Sequence, residues 1–273
     1  MSAVRLICYQ HPAGPQAAWV GAADRVYELG PASELAIERL EPGEVALPKP
    51  GPELGALQLL PPLFGSRRVF AVGYNYRDHA AELTTPVPEW PNLFIRQPQS
   101  LVGHDAQVIK PAAYASYDYE GELAVVIGAG GRAIPQAECL QHVFGYTCLL
   151  DGSVREIQKH SLAAGKNFDR SGAMGPWIVP AGALAAEEPF RLRTTVNDEV
   201  RQQASSADMV FSIAELIHAL SLVTELLPGD VISTGTPAGV GMSFDPPRYL
   251  KVGDQVQVTI AGIGALRVTV AAA

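Results

Sequence analysis

Apolar residues along this chain come in short runs closed by Gly and Pro, a pattern that reads as strands. Residues 4–9, 18–20 and 26–29 form three such runs and predict a small β meander at the start. Residues 31–40 have the spacing of a helix. Residues 41–62, with Pro48, Pro50, Pro52, Pro61 and Pro62 and no periodicity, read as a linker. The boundary this implies separates a small N-terminal β domain, residues 1–65, from a larger domain over residues 66–273. In the larger part, residues 69–72, 93–95, 117–127, 144–150, 192–196, 230–234, 255–260 and 266–270 predict strands. Asn197-Asp198 offers hairpin chemistry between two of the runs. Helical periodicity is confined to residues 154–164 and 212–222. Strands dominate and do not alternate regularly with long helices, so the pattern predicts a mixed, β-rich α+β fold, a roll or sandwich, and not a doubly wound sheet.

One run sets the chemistry. Tyr117-Asp118-Tyr119-Glu120-Gly121-Glu122-Leu123-Ala124-Val125-Val126-Ile127 ends apolar and β-branched without a break, the mark of a strand buried on both faces. Side chains alternate across a strand, so Glu120 and Glu122 share a face while Gly121 points away. Two like charges in a low-dielectric setting force one carboxyl to keep its proton unless a cation sits between them. The next strand-like run, Phe144-Gly145-Tyr146-Thr147-Cys148-Leu149-Leu150, stops at Asp151, where a carboxylate can meet the Glu pair of a neighbouring strand. Three carboxylates with no thiolate or imidazole make a hard, all-oxygen site that suits Mg²⁺ or Mn²⁺, with Ca²⁺ the poorer fit. The plainer alternative for Glu120 and Glu122 is a solvated strand face.

Gly73-Tyr74-Asn75-Tyr76-Arg77-Asp78-His79-Ala80-Ala81-Glu82-Leu83 is mostly polar and predicts at most a short, exposed helical turn. If helical, His79 and Glu82 share a face and the carboxylate can orient the imidazole; the alternative is a surface His beside a surface Glu. Lys166, in a Gly-rich stretch over residues 165–172, can reach an anionic substrate or stand as an ordinary surface lysine. Gly128-Ala129-Gly130-Gly131-Arg132-Ala133 matches the loose dinucleotide pattern, with Asp151 near the place of a ribose-binding acid. Pro135 falls where the phosphate-binding helix needs its first turns, and that reading leaves Glu120 and Glu122 unexplained, so a strand-to-strand turn is the better reading. There is no G-x-S-x-G elbow, and no Walker lysine follows the glycines of residues 235–241.

Composition narrows the partners. At 273 residues with 48% apolar and 18% charged side chains, the chain is globular in composition. Its formal charge of −8, with no basic cluster longer than Arg67-Arg68, argues against nucleic acid or an anionic membrane as partner. Cys8, Cys139 and Cys148 show no C-x-x-C spacing and read as buried free thiols in a reducing compartment. No signal-peptide pattern opens the chain and no run approaches ~18 uninterrupted apolar residues, which gives the expectation of a soluble cytoplasmic protein.

Taken together, Gly73-Tyr74-Asn75-Tyr76-Arg77-Asp78-His79-Ala80-Ala81-Glu82, Tyr119-Glu120-Gly121-Glu122-Leu123, Leu150-Asp151-Gly152-Ser153-Val154-Arg155, Gly165-Lys166-Asn167 and Thr234-Gly235-Thr236-Pro237-Ala238-Gly239-Val240-Gly241 resemble the fumarylacetoacetate hydrolase family. The resemblance runs from about residue 68 to the end. It implies a β-roll with a divalent ion at its mouth, a homodimer, and cleavage or rearrangement of 2-oxo acids. Residue by residue, it implies Glu120, Glu122 and Asp151 as metal ligands and Lys166 as a substrate-contacting lysine. His79 with Glu82 match the pair that handles water in hydrolytic members, while Arg155, Gly235 and Thr236 fall in the substrate-binding motifs. The activity so implied is hydrolysis of a 2,4-dioxo acid of the acylpyruvate type, such as fumarylpyruvate, to pyruvate and a carboxylic acid. Oxaloacetate-type decarboxylation or 2-hydroxy-dienoate isomerisation on the same metal is the alternative. Arg96-Gln97 stands where many members have Lys-Pro, a departure read here as bearing on distal substrate recognition. Residues 74–90 carry few apolar anchors (Leu83, Val87) and are closed off by Pro86, Pro88 and Pro91, which predicts a loosely held lid that carries His79 over the metal when a 2-oxo acid analogue binds.

Overall fold

The strand Gly121–Ile127 is buried along its whole length because it lies inside a sheet with both faces covered. The computed structural model describes residues 4–40, 50–63, 68–184 and 189–273. Its main sheet has twelve strands in the order Pro50–Glu53, Arg25–Pro31, Gln16–Val20, Arg5–Tyr9, Gly172–Pro180, Val143–Leu150, Gly121–Ile127, Val231–Ser233, Val69–Gly73 and Asn92–Arg96, with Leu59–Leu60 and Leu101–Val102 paired off this path. A second sheet orders Glu199–Ser205, Arg191–Val196, Gln255–Ile260, Gly264–Ala272 and Ala106–Lys110. Most pairs are antiparallel, but Val231–Ser233 runs parallel to Val69–Gly73 and Gly264–Ala272 parallel to Ala106–Lys110, so the fold is a mixed β-roll. The initial meander joins the main sheet through Leu6 opposite Ile178.

Alternation along the central strand divides the core. Leu123 packs with Cys148, Leu150, Val256, Val258 and Leu266 between the two sheets. Val125 and Ile127, on the same face, pack on Leu216, Ile217 and Leu220 of the helix Ile213–Val223. Ala124 and Val126 face the other way, toward Trp19, Leu149 and Ile178. Gly121 marks a close approach of the two sheets: a Cβ there would lie 2.0 Å from Thr194 Oγ1. Nothing larger than hydrogen fits.

The expected helix over residues 212–222 is present as Ile213–Val223, started by a reciprocal cap between Ser212 and Glu215. Asn197 and Asp198 both have positive φ, 50° and 66°, as a primed hairpin turn requires. Three expectations need correction. Residues 31–40 form two 3₁₀ turns, Ala32–Glu34 and Ile37–Arg39, because Ala36 is extended between them. Of the supposed linker, residues 41–49 lie outside the described residues, while Pro50–Glu53 and Leu59–Leu60 are edge strands, and a sheet edge tolerates prolines. The helix expected over residues 154–164 stops after Arg155–Gln158, since the chain turns back so that Gly165 O accepts from Val154 N at 2.8 Å. Gly128 to Ala133 connect antiparallel strands, which removes the dinucleotide reading: that unit needs a parallel pair joined by a helix. No helix among the described residues is long and apolar enough to cross a membrane.

Candidate active site

Strand register builds the acidic cluster. Gly121 pairs with Leu150, so the next residues out, Glu120 and Asp151, face each other, and Asp151 N donates to Glu120 O at 2.8 Å. Each of Glu120, Glu122 and Asp151 is buried, and ligand oxygens of the three lie within 4.8 Å of one another. The solvated-face alternative fails on that burial.

Cations surround two of the three. Glu120 Oε1 meets Arg155 Nη1 at 2.6 Å and its Oε2 meets Lys166 Nζ at 2.5 Å. Asp151 takes Arg96 on Oδ1 and Lys166 on Oδ2. Burial opposes charge on Glu120, but Lys166 and then Arg155 outweigh it and hold the carboxyl well below the usual range. Glu122 has no Lys or Arg partner among the described residues; Ser233 Oγ and Gly235 N, the latter at 3.0 Å, donate to its Oε2. Burial first, and then the charges of Asp151 and Glu120, push its carboxyl upward. A buried all-oxygen cluster with one carboxylate short of a counter-charge fits a hard divalent cation.

His79 lines the same cavity, with Glu82 behind it. Asn75 fixes the entry to the helix Arg77–Glu82: its Nδ2 donates to Thr234 O at 2.8 Å and its Oδ1 accepts from Phe211 N at 2.8 Å. His79 is 4% exposed, with Nδ1 2.8 Å from Glu82 Oε1, and the Tyr74 ring stacks on it at 6.0 Å between centroids. Glu82 is itself anchored, Gly239 N donating to its Oε2 at 3.0 Å. Burial raises the Glu82 carboxyl, but the bonds from His79 and Gly239 prevail and lower it. The expectation of an exposed turn with few anchors is thus corrected, because the anchors, Asn75 and the buried Tyr76, were not counted in it.

The other expected residues occupy distinct places. Lys166 is buried, with its ammonium between Glu120 and Asp151 and 5.3 Å from the Phe94 ring centroid, so it is no surface lysine. Its burial lowers the ammonium's pKa, but Asp151 and Glu120 more than compensate and raise it. Arg155 Nε donates to Asp118 Oδ2 at 2.8 Å, and its Nη2 is buried without a partner. Thr236 lines the cavity, yet its hydroxyl is engaged, donating to Gly121 O at 3.0 Å and accepting from Gln202 Nε2 at 2.7 Å. Gly235 sits behind Glu122 and off the cavity lining.

Two residues were missed or misread. Asp118 accepts from Gly241 N at 2.7 Å and Met242 N at 3.0 Å while holding Arg155; its shared parity with Glu120 and Glu122 was the available signal. Arg96 does not face a distal substrate group. It is fully buried behind Asp151.

The cavity holds about 640 Å³. Its buried polar floor is Glu120, Glu122, Asp151, Arg155, Lys166 and His79, and half-buried Tyr74, Leu83, Phe94, Met242 and Tyr249 make up much of the remaining wall.

Comparison with known proteins bears on this arrangement. The sequence pattern described as fumarylacetoacetate (FAA) hydrolase C-terminal matches residues 68–271. The chain is 42% identical over 207 residues to oxaloacetate tautomerase YisK of Bacillus subtilis, covering 74% of this chain and 68% of that protein. Among solved structures, a fumarylacetoacetate hydrolase from Exiguobacterium antarcticum superposes with a TM-score of 0.86 at 32% identity, over 99% of this chain and 100% of the other. A fumarylpyruvate hydrolase from Pseudomonas aeruginosa, solved with Mn²⁺ and pyruvate, gives 0.70 at 32% identity, over 79% and 92%.

Proposed function

The chain belongs to the fumarylacetoacetate hydrolase family, and we propose that it cleaves the carbon–carbon bond of a 2,4-dioxo acid of the acylpyruvate type, releasing pyruvate, or a close relative, and a carboxylic acid. The observation that carries this reading is that His79, backed by Glu82, lines the same cavity floor as the acidic triad. Glu120, Glu122 and Asp151 would hold Mg²⁺, or Mn²⁺ as in the Pseudomonas relative. Bound there, a divalent ion supplies positive charge beside the ketone oxygen on which an enolate collects its electrons.

The chain's own residues supply the rest. With Nδ1 engaged by Glu82, the nitrogen of His79 left for chemistry is Nε2. It takes a proton from water as the water oxygen bonds to the distal carbonyl carbon, while Glu82 stabilises the imidazolium formed. Breaking the bond between that carbon and its neighbour yields the carboxylic acid and leaves the electron pair on the pyruvate fragment as its enolate. His79 returns the proton to the enolate carbon, which balances the step. Lys166 and Arg155 offer positive charge on the cavity floor for the substrate carboxylate. The apolar part of the wall suits an acyl tail beyond the 2-oxo acid head.

A second reading follows from the 42% identity with an oxaloacetate tautomerase: His79 would move a proton between carbon and oxygen of a 2-oxo diacid without any attack by water. Incubation of the Mg²⁺-loaded protein with acetylpyruvate, fumarylpyruvate and oxaloacetate, followed by NMR of the products, separates the two. Pyruvate plus the matching acid is the expected result. Keto–enol exchange of oxaloacetate alone, or CO₂ and pyruvate from it alone, would sink the hydrolase reading.

A further inference from the structure

We propose that Arg96 is a positioning residue for the metal centre: it fixes Asp151 so that one carboxylate oxygen is presented to the cation and ties that ligand to the loop bearing Lys166. The proposal rests on the reading of Glu120, Glu122 and Asp151 as a metal site. Arg96 closes the edge strand Asn92–Arg96, where it pairs with Val69, and its side chain is wholly buried. Nη1 donates to Asp151 Oδ1 and, at 3.3 Å, to Gly152 O; Nη2 donates to Ser171 Oγ at 2.6 Å. Ser171 Oγ passes the contact on, donating to Lys166 O at 2.5 Å. One planar fork therefore links Asp151 to the backbone of Lys166.

The slot around the guanidinium is built for that shape. A Cβ on Gly172 would lie 2.5 Å from Arg96 Nη2 and 2.9 Å from its Cζ. A backbone stripped of its side chain at that point leaves room for the flat guanidinium. A lysine carries a single compact ammonium and cannot span Asp151 and Ser171 in the same way. The two oxygens of Asp151 are also divided in use: Oδ1 goes to Arg96 behind, and Oδ2 faces Lys166 on the cavity floor. Each oxygen already accepts one hydrogen bond, but Arg96 holds Oδ1 from behind, so Oδ2, on the Lys166 side, is the oxygen whose remaining lone pair is turned to a cation. Ligand carboxylates are commonly oriented in this manner by a hydrogen-bonding neighbour outside the coordination shell, and loss of such a neighbour weakens metal binding about 10- to 100-fold.

The test is Mn²⁺ affinity by calorimetry, with the Mn²⁺ EPR line shape as a second readout, for the wild type, Arg96→Met, Arg96→Lys and Ser171→Ala. Thermal melts of the metal-free proteins establish that each is folded. Arg96→Met should bind about 10- to 100-fold more weakly, Arg96→Lys should fall between it and the wild type, and Ser171→Ala should lose a few-fold with an altered line shape. A purely structural role would lower the melting temperature and leave the affinity of the folded protein unchanged; that result overturns the proposal. If Arg96→Met does not fold, wild-type affinity in both Arg96→Lys and Ser171→Ala overturns it equally. Absence of Mn²⁺ uptake by the wild type would instead remove the metal site itself, and this inference with it.

Discussion

Replacing Glu82 by Gln isolates the part of catalysis that comes from the charge behind His79. Volume is conserved, and the amide oxygen can still accept from Gly239 N, so the helix Arg77–Glu82 should stay in place. What is lost is the negative charge 2.8 Å from Nδ1. The Glu82 side chain is 18% exposed, so solvent screens the pair only modestly. A hydrogen bond to a charged group is worth about 1.5–3 kcal/mol, which at about 1.4 kcal/mol per factor of ten becomes a loss of about 10- to 150-fold in kcat. KM should change little, because Glu82 touches His79 and Gly239 and lies off the cavity lining. Stability carries the same signature with a defined sign. The folded protein lowers the Glu82 carboxyl relative to the unfolded chain, so its contribution is present above the ordinary carboxylate range and is lost as pH falls through the folded value. Glu82→Gln should therefore be less stable than the wild type near neutrality, with the gap closing in acid. Steady-state kinetics on an acylpyruvate and urea melts at two pH values measure both effects. A kcat within twofold of the wild type would refute the role given to Glu82.

Glu122→Gln should bind Mn²⁺ far more weakly by calorimetry while the metal-free protein melts no lower, since the variant removes a buried carboxylate that has no cationic partner. In the wild type, the same carboxyl, pushed up to about 8, makes cation and proton compete: Mn²⁺ affinity should climb as pH rises toward about 8, and a flat profile would count against it. Gly121→Ala places a Cβ 2.0 Å from Thr194 Oγ1 and 3.2 Å from Val258 Cγ2, and should cost about 1–3 kcal/mol as a lower urea midpoint. Hydrogen exchange across residues 74–90 with and without oxalate should find the Ala80 amide, bonded to Tyr76 O at 3.0 Å, protected in both states, and added protection with oxalate confined to residues after Leu83; equal protection throughout would mean that no lid closes.

The acidic triad was legible because its two determinants are local: alternation along one strand, and the end of the next. The helix Ile213–Val223 was legible for the same reason, its cap and its apolar stripe lying within a dozen residues. Arg96 was not. Its meaning depends on Asp151 and Ser171, 55 and 75 residues away, and on Gly172, whose missing side chain leaves its slot open. The anchoring of His79 was hidden likewise, since Asn75 is satisfied by Thr234 and Phe211, more than a hundred residues downstream. Residues 41–62 misled in the opposite sense: their prolines speak of no central strand, and the strands they form are edges.

The pairing of Glu120 with Asp151 would make a cation held by the triad a proofreader of the fold. A slip of one residue between Gly121–Ile127 and Val143–Leu150 would exchange the faces of one strand relative to the other, turning ligands toward apolar neighbours and apolar side chains toward the cavity. Such a chain has no cluster to offer a cation. Because an ion held by the triad would bind only the correctly registered form, it would draw population toward that form by mass action, and a refolding mixture supplied with Mg²⁺ or Mn²⁺ would be sorted by strand register as well as by compactness.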